Sequence, residues 1–395
     1  MASEVASKSA IVVVVDRLGA GYLGSYGNTW IETPCLNQLA VESMLYEWAI
    51  SDSLTLDRVY RSYWQGQHAA CNAMPTEPKT LPAVLAERGI HTSLMSDEAT
   101  VCSTSVASCF AEVAQLPTRE FQTAASIDDT QLARSFAAAI EKLQSLSAPF
   151  LFWFHASGMS GPWDAPLELR QQFADEEDPT PPDVVRPPAM KLADDADPDD
   201  VLGMTHAYAG QVVVCDLCVG ALLDVVSTMR EDVMLVFTSP RGFPLGEHGQ
   251  VGDADEALYG ESLHVPWLVR TPNANRAAQR RHNFVQPADL FAMLCKWFGA
   301  PTQPLIEDVQ RDRVCAVTDH EQAIRTPAWF MRQGEGRNDL FVKPDDRWEM
   351  NEVSDRCEDV VEELSARLNE FSQAAQANDF TSLSPLSEVL LDGLD

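Results

Sequence analysis

Short apolar segments that end at turn-forming residues recur along the chain and predict β-strands. Ile11–Val15 is a β-branched run that stops at Asp16 and a glycine-rich turn, which is typical of a central strand buried on both faces. Phe150–Phe154 and Val233–Thr238 follow the same rule. Val265–Arg270 is a further candidate that contains a proline, a residue that central strands avoid.

Between these strands lie segments whose apolar residues recur at three- and four-residue intervals, the spacing of an amphipathic helix. We predict helices over Pro34–Ser43, Thr80–Arg88, Thr130–Leu143, His206–Met229 and Ala288–Phe298. This alternation favours an α/β fold with a largely parallel central sheet and helices on both faces. Ligands in such folds sit beyond the carboxyl ends of the strands, so Asp16, His155 and Thr238–Gly242 are expected to meet in one crevice.

The pattern changes in two later segments. Asp175–Asp200 is rich in proline and acidic residues and predicts a solvated loop, with an acidic recognition loop as the alternative. After Pro301 the chain predicts three short strands and then an amphipathic helix: Asp312–Val317, Ala323–Met331, Leu340–Lys343 and Val353–Gln376. We therefore expect a large α/β domain over 7–300 that includes the loop 175–200, a small C-terminal α+β subdomain of antiparallel sheet and helix over 301–376, and an acidic tail over 377–395 that is at most partly ordered.

Composition restricts the partners. The 395 residues are 45% hydrophobic, which is ample for a core, and carry a formal net charge of −31. Because phosphates are repelled by such a surface, we expect neither nucleic acid nor a membrane as a partner. A small anionic ligand would need a local basic pocket, and a protein partner is compatible with the composition.

The N-terminus and the cysteines indicate a cytoplasmic protein. The first apolar run, Ile11–Val15, is too short for a signal peptide or a membrane span. Nine scattered cysteines, an odd number, fit reduced thiols better than a disulfide framework. The C-x-x-C pair Cys215 and Cys218 lies in an apolar helix-like stretch with no second pair nearby, which argues against a zinc or redox site.

Several motifs carry a resemblance to a known family. The segment "IVVVVDRLGAGYLGSYGNTWIETPCLNQLAVES" resembles the opening of the formylglycine-dependent sulfatases, members of the alkaline phosphatase superfamily. The likeness continues, in order, through "TLPAVLAERGIHTSLMSDE", "HASGMSGPWDAP", "FTSPRGFPLGEHG", "ALYGESLHVPWLVRTP" and "AIRTPAWFMR". One such motif would be weak, but the ordered set is specific. The resemblance implies a sulfatase-like α/β fold and sulfuric ester hydrolysis.

The resemblance also implies a reaction and its groups. In that family a hydrated formylglycine, made from cysteine in a C-x-P-S-R motif, attacks sulfur while a divalent cation, usually calcium, holds the oxygens. Calcium takes about six to eight oxygen ligands. They come from an Asp-Asp pair after the first strand and from an Asp-His or Asp-Asn pair in a "TSDHG" loop. Lysines and histidines stabilise the transition state and protonate the leaving group.

Matched residue by residue, most cation ligands are substituted. The first Asp falls on Asp16, but the second falls on Arg17, and the loop pair falls on Pro240 and Arg241. Neither a proline side chain nor an arginine can ligate a metal. We therefore expect no cofactor, with calcium as the cofactor if the site is active after all. Arg17 or Arg241 would instead pair with Asp16, because a guanidinium and a carboxylate attract strongly at short range.

The nucleophile motif is substituted as well. Anchored on Arg58, it places Leu54 at the cysteine position, and leucine cannot become formylglycine. Ser53 and Thr55 flank this position, and a slip of one residue would make either hydroxyl the attacking group. A hydroxyl without a metal or an adjacent base is a poor nucleophile, which favours plain loop residues.

The remaining catalytic positions are also altered. Family lysines fall on Asp97 and within Gly252–Ala257, which contains none, and a family histidine falls near Ser160. His155 and His248 are residual candidates for catalysis, although such histidines are more often structural, hydrogen-bonded residues.

Three classes of function follow. The first is a non-catalytic pseudo-sulfatase that acts through its retained surface or through a metal-free pocket for a small anion such as a sulfate ester. Arg17, Arg58 and Arg241 would form that pocket unless these arginines satisfy nearby acids instead. The second is an active sulfuric or phosphate ester hydrolase with an atypical site made of Asp16, Thr55 or Ser53, Arg58, His155 and His248. The third is a scaffold or interaction protein.

Overall fold

The computed structural model describes residues 8–71, 79–119, 121–229, 232–254, 256–272, 276–301, 311–334, 336–377, 379–381 and 383–393. The strands are β1 (Lys8–Val15), β2 (Met44–Ala49), β3 (His91–Ser96), β4 (Glu112–Gln115), β5 (Phe150–Ala156), β6 (Ala189–Lys191), β7 (Asp232–Thr238), β8 (Gln250–Gly252), β9 (Trp267–Arg270), β10 (Gln279–Val285), β11 (Val314–Val317), β12 (Glu321–Arg325), β13 (Trp329–Gly334) and β14 (Arg337–Val342). The helices are α1 (Pro34–Val41), α2 (Leu56–Gln65), α3 (Leu81–Ala86), α4 (Ala99–Ser103), α5 (Gln131–Ser145), α6 (Leu167–Gln171), α7 (Pro198–Thr228), α8 (Gly260–Leu263), α9 (Ala288–Trp297), α10 (Glu358–Ala377) and α11 (Glu388–Asp392).

The large sheet has eight strands in the order β10-β2-β9-β7-β1-β5-β3-β4. Among these, β9 alone runs antiparallel to its neighbours β2 and β7. β1 lies at the centre, paired in parallel with β5 and β7, and is buried from Ser9 onward. Its β-branched residues fit this position because β-branched side chains pack well on a pleated surface. The largely parallel α/β sheet predicted from the sequence is confirmed.

Helices cover both faces of this sheet. Ile11 and Val13 point to opposite sides from Val12 and Val14, and the two sets belong to separate hydrophobic clusters. The first cluster includes residues of α5 and α7, and the second includes residues of α2 and α9. A strand covered on both faces reads as a continuous apolar run, which explains the signal of β1 in the sequence.

Several elements of the large sheet were missed or misplaced by the sequence prediction. β2, β3, β4, β10 and α2 were not predicted. β10 (QRRHNFV) lies at the sheet edge and leaves three successive polar residues exposed, and β3 buries Thr92 and Ser93, so neither gives an apolar run. The predicted loop Asp175–Asp200 contains β6, which pairs with β8, and the start of α7, whose predicted beginning at His206 was therefore too late.

The second sheet is antiparallel, in the order β11-β12-β13-β14, and packs against α10. The predicted single strand Ala323–Met331 was wrong: β12 and β13 form a hairpin there, with Thr326 N donating to Trp329 O at 2.8 Å. Pro327 cannot donate to a ladder, so the strand ends before it. The predicted boundary at Pro301 adjoins residues 302–310, which lie outside the described residues, as does Ser7, so the domain limits stay a prediction.

The acidic tail takes part in this core. Leu386 and Leu390 are buried in the same cluster as Trp329, and Trp329 Nε1 donates to Val389 O at 2.8 Å. The described part of the tail, which was expected to be at most partly ordered, thus contains α11 because its leucines complete the packing against β13.

One helix among the described residues, α7, is long and apolar enough to cross a membrane by length and composition. In its most apolar stretch, 61% is buried inside the fold, against α1, α5 and α6. Its apolar character is therefore explained by packing in the core.

Candidate functional site

The site is built where the central strand ends. Asp16 follows β1 and is fully buried. Its backbone N–H donates to Ala156 O at 3.0 Å, and its carbonyl accepts from Met159 N at 2.9 Å. Arg17 then takes a left-handed backbone conformation, with φ of 62°, which redirects the chain. The carboxylate is thereby held at the carboxyl end of the parallel strands, where α/β folds place their ligands.

A guanidinium group fills the space beside this carboxylate. Arg241, on the loop after β7, donates from Nε to Asp16 Oδ1 and from Nη2 to Asp16 Oδ2, both at 3.0 Å. Its third nitrogen, Nη1, donates to Leu54 O at 2.7 Å. This bidentate geometry is the strongest form of an ion pair between side chains. Of the two arginines that the sequence left open as partners of Asp16, the structure selects Arg241.

The electrostatics of the pair follow from its burial. Burial alone would raise the pKa of Asp16, but the charge of Arg241 and its hydrogen bonds outweigh burial and lower this pKa. Burial likewise lowers the pKa of Arg241, and the charge of Asp16 reverses that shift and raises it. Both partners therefore stay ionised, and each depends on the other for compensation of its charge.

Arg17, which the resemblance matches to the second ligand position, also finds acceptors. It donates from Nη1 to Gly242 O at 3.1 Å and from Nη2 to the carboxylate of Asp253. Burial lowers the pKa of Arg17, and the nearby charge of Arg241 lowers it further. Two guanidinium groups thus lie within the volume in which the sulfatase resemblance expects a cation.

These residues do not fit a calcium ion. Of the four residues that the resemblance matches to cation ligands, only Asp16 has a carboxylate, and Arg241 engages both of its oxygens. Within the part of the chain that the structure describes, no group of three or more histidine, cysteine, aspartate or glutamate side chains could hold a metal ion. A calcium ion takes about six to eight oxygens, so the arrangement supplies too few.

The nucleophile position is apolar. Leu54 is buried in a cluster with Leu258, Leu263 and Phe330. The flanking hydroxyl of Ser53 accepts a hydrogen bond from Thr55 N at 3.4 Å, and Thr55 is the N-cap residue directly before α2. No side-chain base is bonded to either hydroxyl in the described residues, so neither has the activation that a serine or threonine nucleophile requires.

Arg58, on α2, has a carboxylate partner of its own. It forms an ion pair with Asp319, in the turn between β11 and β12, and its side chain is 28% exposed. Arg17, Arg58 and Arg241 therefore each have a carboxylate partner, which is the alternative that the sequence left open. An anion at any of them would have to displace Asp253, Asp319 or Asp16.

His155 lies at the end of β5 and is fully buried. The hydroxyl of Tyr60 is hydrogen-bonded to its Nδ1 at 2.5 Å, and its Nε2 has no partner among the described residues. Burial lowers the pKa of His155 more than the nearby charge of Asp16 raises it, so the imidazole is neutral at neutral pH. A neutral histidine fixed by a tyrosine is typical of a structural residue.

His248 is built into a different contact. Its Nδ1 bonds Glu261 at 2.7 Å, its Nε2 bonds Glu349 O at 3.1 Å, and its ring stacks on Tyr259 with 3.5 Å between the ring centroids. Burial lowers the pKa of His248, but the hydrogen bond and charge of Glu261 outweigh it and raise the pKa. Both ring nitrogens are engaged, so His248 links the loop after β7 to the turn that follows β14.

Other substituted family positions have internal partners too. Asp97, where a lysine is expected, is buried and accepts from Ser157 N at 2.6 Å, Ser135 Oγ at 2.8 Å and Gln131 Nε2 at 3.2 Å. Ser160 lies in a short turn, where its backbone N–H donates a hydrogen bond to Ser157 O at 2.8 Å. Residue 255, within the lysine-free segment Gly252–Ala257, lies outside the described residues.

Sequence reasoning missed Asp52, which lies close to the nucleophile position. Its Oδ2 accepts from Ser62 Oγ at 2.6 Å and from Ala69 N at 3.0 Å, while its Oδ1 has no partner among the described residues. Burial raises the pKa of Asp52 to about 7. The only sequence signal was its place after β2, a strand that the apolar pattern did not reveal.

The raised pKa of Asp52 predicts a pH-dependent stability. A folded-state pKa of about 7, above the ordinary value for an aspartate, means that its contribution is fully present below about pH 4 and is lost as the pH rises to about 7. Between pH 5 and pH 8 this group should remove about 2–3 kcal/mol of unfolding free energy. Urea denaturation at both pH values should show that the Asp52→Asn variant loses that much less unfolding free energy between pH 5 and pH 8 than the wild type does. Parallel pH profiles for the two proteins would contradict the assignment.

Comparison with known proteins identifies the family to which this chain is similar. A protein-family model described as Sulfatase matches residues 8–300. The multifunctional alkaline phosphatase superfamily protein PehA of Trinickia caryophylli is 28% identical over 110 residues, which covers 27% of this chain and 21% of that protein. The match thus spans about a fifth of the length of that curated relative.

Solved structures share the fold. The phosphonate monoester hydrolase of Agrobacterium radiobacter has a TM-score of 0.75 at 15% identity, over 96% of this chain and 98% of that chain. BT4656, solved with its substrate D-glucosamine-2-N,6-O-disulfate, has a TM-score of 0.75 at 15% identity, over 94% and 99% of the two chains. BT1596, a 2-O GAG sulfatase, gives 0.73 at 14% identity, over 97% and 95%. At these identities the likeness shows the fold alone.

Proposed function

This chain belongs to the sulfatase family, and from that membership we propose that it is a non-catalytic member in which an internal ion pair takes the place of the catalytic cation. The observation that carries the proposal is the bidentate contact of Arg241 with Asp16, at 3.0 Å for both hydrogen bonds. A dication would have to displace this guanidinium and would still meet Arg17 beside it.

The nucleophile position supports the same proposal. Leu54 offers no group that could attack sulfur or phosphorus, and its side chain packs among apolar residues. Its backbone carbonyl accepts from Arg241, so the two altered parts of the family site hold each other. The altered residues are connected by hydrogen bonds. Restoring the family residue at one position would therefore leave polar groups at the others without hydrogen-bond partners.

The alternative is an active hydrolase with an atypical site. The sulfated-sugar and phosphonate chemistry named for BT4656 and for the Agrobacterium radiobacter enzyme makes sulfuric and phosphate esters the substrates to test. Such an enzyme would need His155 or His248 as acid or base. His155 is buried against Tyr60, and both nitrogens of His248 are engaged, so this alternative requires rearrangement of the site.

Turnover assays separate the two functions. We expect no release of nitrophenol from para-nitrophenyl sulfate or para-nitrophenyl phosphate beyond that of an Asp16→Ala variant purified in the same way. The assay is repeated with calcium, magnesium or manganese and with a chelator. Metal-dependent turnover that disappears in Asp16→Ala would establish the hydrolase instead.

We further propose that the protein works in the cytoplasm through binding and not through turnover. All nine cysteines lie in the described part of the chain, and none of them forms a disulfide there. Cys215 and Cys218 are buried on α7, where burial raises the pKa of Cys218 to about 12 and makes it a poor metal ligand or nucleophile. These thiols are compatible with a reducing compartment.

A further inference from the structure

A cavity of about 180 Å³ lies between the large sheet and the second sheet, separate from the Asp16–Arg241 pair. Its floor includes Arg325 at the end of β12, and its walls include Trp48, Phe330 and Trp348. Trp348 is 50% exposed, which places it at the mouth. Neither Asp16 nor Arg241 lines this space.

Arg325 is a buried cation without a direct ion pair in the described part of the chain. It is 7% exposed, and among the described residues no hydrogen bond or ion pair engages its guanidinium, whose Nε is fully enclosed. The ring centroid of Trp48 lies 5.1 Å from its Cζ, and the charge of Glu349 acts on Arg325 from beyond ion-pair distance. Burial lowers the pKa of Arg325 to about 10, so the side chain still carries its charge at neutral pH. A buried arginine is normally paired, which makes this one unusual.

The other charged groups around the cavity already have partners. Lys343 forms an ion pair with Glu349, and Glu349 also accepts from Gly260 N at 2.8 Å. Glu261 bonds His248 at 2.7 Å.

The remaining carboxylate and the remaining cation are engaged too. Glu247 accepts from Tyr22 Oη at 3.2 Å and from Leu245 N at 2.6 Å, and Arg347 lies against the ring of Trp348. Among the charged side chains that line the cavity, Arg325 is therefore the one whose guanidinium has no acceptor in the described part of the chain.

We propose that this cavity binds a small organic anion, with its oxyanion on the Arg325 guanidinium and a flat apolar body between Trp48, Phe330 and Trp348. A guanidinium pairs bidentately with carboxylate, sulfate and phosphate oxygens alike, so the shared chemistry is an oxyanion on one ring. A protein cavity of roughly 150 Å³ holds a benzene ring, so this one accommodates a ring with a single anionic group. The site goes beyond the proposed function, because it uses neither Asp16 nor the family's catalytic positions.

Calorimetric titration of the full chain with four probes tests the proposal. Benzoate, phenyl sulfate and phenyl phosphate carry the oxyanion on one ring, and benzamide is the neutral counterpart. We expect saturable binding of at least one anion and roughly tenfold or weaker binding of benzamide. The strongest of the three anions identifies the anionic group.

Variants connect the binding to Arg325. Arg325→Met should weaken the anion by roughly tenfold or more, while its melting temperature stays equal or rises, because an uncompensated buried charge is removed. Arg134→Met, at an exposed arginine paired with Asp129, is the matched control and should bind as the wild type does. Failure of this site shows in anion binding, whereas failure of the proposed function shows in metal-dependent turnover, so the two failures are distinguishable.

Three results would overturn the site. They are no saturable binding of any of the three anions to about 10 mM, equal affinity for benzamide, or unchanged affinity in an Arg325→Met variant that is shown to be folded by its circular dichroism.

Discussion

Replacement of Arg241 by methionine is expected to destabilise the fold by about 3–5 kcal/mol. The substitution keeps most of the side-chain volume but leaves Asp16 as a buried charge without compensation. Without the arginine, burial raises the pKa of Asp16, so the carboxyl should take up a proton on acidification. The loss should therefore be largest above neutral pH and shrink as the pH falls. Urea denaturation at pH 5 and pH 8 measures both effects.

A double-mutant cycle identifies the pair as the cause. Arg241→Met combined with Asp16→Leu removes both charges and should recover most of the stability, because apolar replacement of a whole buried ion pair is often neutral. Arg134→Met, at an exposed pair with Asp129, should change the unfolding free energy by less than about 1 kcal/mol. Additive effects of the two substitutions at residues 16 and 241 would show that the contact contributes little.

Replacement of Gly242 by alanine is expected to cost about 3 kcal/mol or more, since a β-carbon there has no room. It would lie 2.0 Å from the backbone oxygen of Glu261. The two segments cannot separate freely, because Gly242 N donates to Ser262 O at 2.8 Å. The carbonyl of the same glycine accepts a hydrogen bond from Arg17, so the substitution should also weaken this contact of Arg17.

Gly21→Ala is the matched control for this substitution. A β-carbon at Gly21 would meet only the ring of Trp348, at 3.8 Å, which is an ordinary van der Waals contact. Its melting temperature should change little, whereas that of Gly242→Ala should fall by roughly 5 °C or more. Equal melting temperatures for the two variants would mean that the loop after β7 can move away from Glu261.

The fold was largely readable from the sequence where burial is two-sided. β1, β5 and β7 are central strands, and their unbroken apolar runs reveal them. Elements at the sheet edge escaped because their side chains face water or mix polar with apolar residues, as in β10. The hairpin of β12 and β13 escaped because apolar residues stand on both sides of its turn, so that Pro327 was the sign of the break between the two strands.

The candidate site could be predicted in its composition but not in its pairing. The resemblance to the family identified Asp16, Arg17 and Arg241. All three follow the end of β1 or β7 in the chain. The choice between the two arginines depends on backbone conformation: Arg17 is left-handed and turns toward Asp253, while Arg241 reaches Asp16 from the opposite loop. Arg325 could not be found from the sequence, since its lack of a partner is a property of the assembled cavity.

Calcium titration of the wild-type protein, stripped with a chelator and followed by calorimetry at neutral pH, tests the proposed replacement of the cation by Arg241 most directly. We expect no saturable binding up to about 1 mM calcium, which is the weak end of protein calcium sites, and no rise in melting temperature. Binding of one ion per chain that is lost in Asp16→Asn would contradict the replacement and return the protein to the metal-dependent members of its family.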